Sequence, residues 1–265
     1  MSSDSILFDI TDGVAVLTFN RPAALNAMTN EMAVAFRACL DPLLSGETPA
    51  RALVLTGAGR GFCAGADLVS SINPADFTAT SDAGLVLENH YNGIIKIIRA
   101  LPMPVIAAVN GPAAGVGMSL AMAADILVAA RSASFLQAFV NIGLVPDGGS
   151  SWFLPRIIGR NRAARMMMLG EKISAEDAFD WGLVSKLVDD DKLMDESLAM
   201  ARKLATGPTR AINLIRHLLD ASEGHSLTEQ LDLERQHQCT AGRYEDFREG
   251  VAAFLAKRKP DFSGK

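Results

Sequence analysis

The chain has 265 residues, of which 49% are hydrophobic and 21% charged, and its formal net charge is −5. That composition supports a sizeable globular core, and an acidic balance with no long lysine and arginine block gives no reason to expect a nucleic-acid partner. The cysteines Cys39, Cys63 and Cys239 lie far apart, and the four histidines never pair with cysteine at ligand spacing, which argues against a disulfide framework and structural zinc. The opening MSSDSILFDI lacks a basic start followed by an apolar run, so a reducing, cytoplasmic setting is expected.

ILFDITDGVAVLTFN alternates apolar and polar residues on both sides of Asp12-Gly13, which predicts a β-hairpin. RPAALNAM leads into TNEMAVAFRACLDPLL, whose apolar spacing is helical. ARALVLTG reads as a short buried strand and GAGRGFCAGADL as a glycine-rich loop after it. Residues 70–82 read as an exposed loop, followed by a helix through LENHYNGIIKIIRAL.

Residues 104–130, PVIAAVNGPAAGVGMSLAMAADILVAA, imitate a membrane span. Asn110, Gly111 and Pro112 break the run early and Asp125 breaks it late, leaving pieces shorter than the roughly 20 residues a bilayer requires. A buried strand, a glycine turn, a small-residue helix and another strand opened by a structural Asp125 fit better, with no membrane partner. Such alternation implies a largely parallel sheet with helical cover.

After residue 143 the character becomes helical. Ser174 with Asp177, and Ser226 with Glu229, resemble capping boxes. Met166-Met167-Met168 reads as core filling, and GRYEDFREGVAAFLAKRKPDF as an amphipathic helix with a basic end. No linker rich in Pro, Gly or Ser divides the chain, which reads as an α/β core over 1–200 with a helical C-terminal region over 201–265.

Two glycine-rich loops follow buried strands. Gly59 to Ala64 matches G-x-G-x-x-A, but the acidic residue expected about 20 positions later in a dinucleotide site has no good candidate. The second loop, Asn110 to Gly117, opens a helix. Two such segments can each aim a backbone N–H at one point and hold an oxyanion; they can equally be tight turns packed for structural reasons. Asp147, in GLVPDGGSSW, likewise has two readings: a cap for the following helix, or a carboxylate held in an apolar pocket.

LTGAGRGFCAGADL, AAVNGPAAGVGMSLAMAADILVAARSASF, GLVPDGGSSWFLPRIIGR and MLGEKISAEDAFDWGLVSKLVDD appear in that order, with NRPAALNAM before them and FLAKRKPDF after. Together they resemble the crotonase (enoyl-CoA hydratase/isomerase) superfamily over essentially the whole chain. The resemblance implies an α/β fold, a crotonase-like spiral of ββα units with a helical C-terminal portion. It implies an acyl-CoA thioester as substrate, no redox cofactor or metal, and a homotrimer or dimer of trimers. The thioester carbonyl oxygen would accept hydrogen bonds from the N–H groups of Ala66 and Val116.

Where hydratases of the superfamily carry two glutamates, this chain has Ser119 and Phe139, neither of which is a base. Isomerases that it resembles place an acidic residue at or near Asp147. The LTGAGRGFCAG and VPDGG segments and the tail from QLDLERQ onward resemble isomerases that rearrange a ring epoxide of phenylacetyl-CoA. The implied activity is therefore a double-bond shift or ring-epoxide rearrangement through a thioester enolate, with Asp147 as acid and base. The alternatives are an enoyl-CoA hydratase, a non-catalytic acyl-CoA-binding subunit, and an enzyme that uses Asp147 as nucleophile on an aryl-CoA. Glu88 is the rival carboxylate, unless it belongs to a solvated face. For CoA, the resemblance implies contacts at Ala24, Leu25 and Ala27, and at Ala64, Asp67 and Leu68, Asp67 also fixing its loop. Phe254 and Lys257 would reach the CoA of a neighbouring subunit, the alternative for Lys257 being a solvated helix end.

Overall fold

The computed structural model describes residues 5–68, 82 and 84–265, so the loop expected over 70–82 lies outside the described residues but for Asp82. Strands β1 (Ile6–Thr11) and β2 (Val14–Phe19) form the expected antiparallel hairpin. Asp12 and Gly13 both take positive φ, 52° and 76°, as a two-residue type I′ turn requires. Beyond β2 the sheet is parallel. It runs through β3 (Ala52–Gly57), β4 (Val105–Val109), β6 (Ile126–Ala130) and β9 (Lys186–Val188), in the order β1-β2-β3-β4-β6-β9. ALVLTG, VIAAV and ILVAA are apolar without alternation because both faces of these central strands are covered.

A second sheet, which the sequence reading did not include, pairs β5 (Pro112–Ala114), β7 (Ser134–Leu136) and β8 (Lys172–Ser174). With β8 and β9 it also corrects the expectation that the chain after residue 143 is helical throughout. Three-residue strands are too short to show a period of two.

On one face of the main sheet lie α1 (Asn30–Ser45), α2 (Asn92–Ala100) and α3 (Val116–Met122). Helix α1 starts at Thr29, whose hydroxyl accepts the Met32 N–H at 3.1 Å, and buries Met32, Phe36, Leu40 and Leu43 along one stripe. The span 104–130 holds the expected strand, small buried helix and strand, with the short strand β5 in place of part of the expected turn, and no helix among the described residues is long and apolar enough to cross a membrane.

Helices α4 (Ser150–Ile158), α5 (Arg160–Leu169) and α6 (Ala175–Asp180) follow. Only part of the methionine run fills the core: Met166 is buried, whereas Met168 is 72% exposed, because consecutive helix positions cannot all face inward. Helix α7 (Leu193–Ala205) lays Leu193, Ala201 and Ala205 against Val54, Ile106, Ala108 and Val128 on the other face of the sheet. It therefore runs through residue 200, where the sequence reading divides core from C-terminal region, and packs with the core.

Helices α8 (Thr209–Ser222), α9 (Leu227–Ala241) and α10 (Glu245–Leu255) complete the chain, α9 opening with the reciprocal Ser226–Glu229 capping box. Asp125 anchors α8 to the core. One oxygen accepts the Val105 N–H at 2.7 Å and lies 2.8 Å from Arg216 of α8, and the other meets Arg99 at 3.1 Å.

Candidate active site

The two glycine-rich loops converge. The first, after β3, is held in place by the segment 21–28. Asn26, fully buried, donates from Nδ2 to the carbonyls of Ala58 and Gly61 at 3.0 and 2.7 Å, and Arg21 pairs with Asp67 at 2.8 Å. Leu25 C=O accepts the Ala64 N–H at 3.0 Å, and Ala27 C=O accepts from the Arg21 guanidinium. Met28 and Ala66 form an isolated parallel bridge that uses the Gly65 carbonyl and the Asp67 N–H. The Ala66 N–H takes no part in that bridge.

The second loop ends at Gly115, with φ 50°, and Val116 opens α3. The first N–H groups of a helix have no acceptor within it, so the Val116 N–H is likewise not consumed by its own helix. Gly65 fixes the approach of the two loops. Its φ is 102°, and a Cβ there would stand 3.0 Å from the Ala114 carbonyl oxygen. Glycine is required on both grounds.

Between the loops lies a cavity of about 130 Å³, lined by Ala64, Gly65, Ala66 and Leu68, by Gly115 and Val116, and by Ala138, Phe139, Ile142, Leu144 and Asp147. A larger apolar groove of about 550 Å³ runs between the C-terminal helices. Its one carboxylate, Asp246, is already accepting from the Ser263 and Gly264 N–H groups at 2.8 and 3.0 Å. The smaller cavity is the one that combines unspent polar groups with apolar walls, the usual composition of a ligand site.

Asp147 does not cap α4. The helix is capped by Gly149 in left-handed conformation with no side-chain bond, and the Asp147 carboxylate has a buried oxygen, Oδ1, without a hydrogen-bond partner. Burial pushes its pKa up to about 6, since a desolvated carboxylate resists ionisation. Its main chain, by contrast, is tightly held. The Asp147 carbonyl accepts the Ser150 N–H at 2.9 Å and the Ser119 hydroxyl at 3.0 Å.

Ser119 and Phe139 are both buried, and neither supplies a base. Glu88 is exposed on a π turn, Leu87–Tyr91, and does not line the cavity. Tyr91, three residues on, is buried instead. Its pKa is driven up to about 12 by burial first, then by the charges of Asp147, Cys63 and Asp67. Tyr91 was legible only as a neighbour of Glu88, although it shares the apolar stripe of Ile94, Ile95 and Ile98.

Of the residues expected to contact CoA, Ala64 and Leu68 line the cavity. Ala24, Leu25 and Ala27 belong to the brace behind it, and Asp67 is ion-paired to Arg21. Phe254 lies on the separate groove and Lys257 is exposed beyond the end of α10, so one chain alone does not bring either to the cavity. No group of three or more His, Cys, Asp or Glu side chains placed to hold a metal occurs among the described residues.

The model of the enoyl-CoA hydratase/isomerase family matches residues 9–265. The chain is 48% identical to the 1,2-epoxyphenylacetyl-CoA isomerase of Escherichia coli K12, over 98% of each sequence. It is 43% identical over the whole of both chains to a protein of Rhodobacter capsulatus described as a probable enoyl-CoA hydratase. The crystal structure of an enoyl-CoA hydratase from Polaromonas sp. JS666 superposes with a TM-score of 0.90 at 36% identity, covering 97% of this chain and 99% of that one.

Proposed function

The chain belongs to the enoyl-CoA hydratase/isomerase family, and on that premise we propose that it is an acyl-CoA isomerase working through a thioester enolate, with Asp147 as the group that moves the proton. The thioester carbonyl sits between the Ala66 and Val116 N–H groups. Asp147 removes a proton from the carbon next to that carbonyl, the electron pair moves onto the carbonyl oxygen, and the two N–H groups hold the resulting oxyanion. The same carboxyl returns the proton to a different carbon. Nothing is gained or lost overall.

The observation that carries this reading is the Asp147 carboxylate itself. It lines the cavity, has an unpartnered buried oxygen, and has its pKa pushed up to about 6 by burial. Hydration would need a second group to activate water, and the positions where hydratases carry glutamates hold Ser119 and Phe139. The 48% identical relative supports a ring epoxide of phenylacetyl-CoA as substrate, rearranged to its oxepin, and 3-enoyl-CoA esters serve as simpler substrates. The site needs no redox cofactor or metal. We further place the protein in the cytoplasm, in keeping with three cysteines that are all free. We also propose a homotrimer or dimer of trimers, in which the apolar surface of the last helices, where Phe254 is 82% exposed, would be covered by another copy. In such an assembly Phe254 and Lys257 would face a neighbour's CoA, Lys257 meeting a phosphate as a point charge.

The test is an assay of the wild-type protein on a 3-enoyl-CoA, a 2-enoyl-CoA and 1,2-epoxyphenylacetyl-CoA, followed by mass spectrometry. Products of unchanged mass are expected from the first and third. Efficient uptake of one water by the 2-enoyl ester would instead establish a hydratase. Gly65→Ala should uncouple the two N–H groups, since the added Cβ forces the loop away from Ala114. Loss of one oxyanion donor lowers kcat by about 10²- to 10³-fold, so a folded Gly65→Ala protein is expected to lose at least about 10²-fold.

A further inference from the structure

We propose that Ser119 is a positioning residue that locks the catalytic aspartate to the helix carrying the Val116 N–H, so that proton transfer and oxyanion binding share one rigid frame. The proposal rests on the isomerase reading of Asp147 and adds a residue to it. Ser119 lies in α3, three residues after Val116 and thus on the same side of the helix. It is fully buried, and so is Ser150 at the start of α4. The Ser119 Oγ stands 3.0 Å from the Asp147 carbonyl oxygen, 2.7 Å from Ser150 Oγ and 3.3 Å from the Gly115 carbonyl oxygen.

A serine hydroxyl has one proton to donate. Of the two carbonyls the nearer is that of Asp147, and Ser150 then donates to the Ser119 oxygen. The result is a directed chain from Ser150 through Ser119 to the main chain of Asp147. That carbonyl also accepts the Ser150 N–H at 2.9 Å, so the peptide following Asp147 is held from two sides. The carboxylate on the same residue is left without a partner at Oδ1. A fixed backbone with an uncommitted side chain is the arrangement a proton carrier needs: its location is set while its charge is not neutralised in advance.

Close packing reinforces the tie. Gly148 has φ 55°, and a Cβ there would fall 2.8 Å from the Ser119 Cβ and 3.5 Å from a Val116 methyl. The aspartate loop therefore rests directly on Ser119 and Val116. The same contact makes glycine necessary at 148, since a Cβ there would also stand 3.0 Å from the Ser119 hydroxyl oxygen. The hydroxyl on α3 thus supports a carboxylate on the facing loop.

The experiment is a double-mutant cycle of Ser119→Ala and Asp147→Asn, assayed on a 3-enoyl-CoA at temperatures where circular dichroism shows every variant folded. Ser119→Ala is expected to lower kcat by about 10- to 100-fold, the scale of a small misplacement of a reacting group, with KM changed less than about twofold. In the Asp147→Asn background the same substitution is expected to change the residual rate by less than about twofold, because it acts through the carboxylate. A Ser119→Ala protein with lowered Tm but near wild-type kcat, or effects that multiply across the cycle, would overturn the proposal. Should Ser119→Ala not fold, Ser150→Ala, which removes the hydroxyl feeding Ser119, takes its place with a smaller drop of the same signature. If Asp147→Asn alone keeps full activity, the isomerase reading falls instead, and the two failures are told apart.

Discussion

Asp147→Asn is expected to lower the rate of the double-bond shift by about 10²- to 10⁴-fold, the range that general acid and base catalysis contributes, while binding of the CoA ester persists. Asparagine keeps the shape and cannot accept the proton. Its effect should therefore fall on kcat, with the dissociation constant of a non-reacting acyl-CoA, measured by calorimetry, changed little. The wild-type pH profile provides a second, independent reading. Asp147 must be ionised to remove a proton, and its pKa is pushed up to about 6 by burial. Activity is expected to fall as the pH is lowered through about 6, a limb that the asparagine variant lacks.

The same carboxylate should cost stability. Its folded pKa, about 6, lies above the ordinary carboxylate value near 3.9 in the unfolded chain. Between those pH values the unfolded chain has lost the proton and the native protein still holds it, so stability falls as pH rises across that interval. Above about pH 6 the penalty is present in full. Asp147→Asn is therefore expected to melt at a higher temperature than wild type at pH 8 and at nearly the same temperature at pH 4. A functional group that destabilises its own fold is a common exchange at active sites. A variant that loses activity and melts lower at pH 8 would point to a structural role.

Much of the architecture is written in local patterns. Asp12-Gly13 between two alternating runs specifies the hairpin, and the unalternating ALVLTG and VIAAV specify strands covered on both faces. Ser174 and Ser226 mark helix starts because their hydroxyls do a job the backbone cannot do for itself. The contacts that assemble the site are of another kind. Ser119 reaches Ser150 and Asp147 across about thirty residues, and Asn26 reaches Gly61 across a similar gap. No period or spacing announces such a pair, since each side chain is an ordinary residue in its own segment. Asp147 illustrates the boundary. Local chemistry alone allows it to be a cap, and the structure removes that option by giving the cap to Gly149. The proposal that it acts as an acid and base draws on the resemblance of whole segments, and Tyr91, which no motif marks, came into view only through burial.

Asp125→Ala is expected to destabilise the protein by about 3–5 kcal/mol, the cost of leaving a buried partner charge uncompensated. Arg216 is only 4% exposed, and its Nε lies 2.8 Å from Asp125 without good alignment, so the two are joined chiefly by charge. The guanidinium also donates to the Leu101 and Ile98 carbonyls at the end of α2. Removing Asp125 strands that cation, takes the acceptor from the Val105 N–H at the start of β4, and releases one of the two carboxylates held by Arg99, the other being Asp220. For a chain of this size the melting temperature should fall by roughly 10 °C, at about 2–4 °C per kcal/mol. Arg216→Met should cost less. It leaves Asp125 paired to Arg99 and replaces a buried cation with an apolar side chain of similar length, a change that is often tolerated. The double variant should be less destabilised than the sum of its parts, because the stranded charge no longer exists in it. Strictly additive losses in urea denaturation would mean that the pair contributes through packing alone. The network sits where the helices of the C-terminal region meet the strands that carry the two glycine-rich loops. Its loss should therefore be felt in the melting curve, and kcat measured well below the transition should stay near that of the wild type.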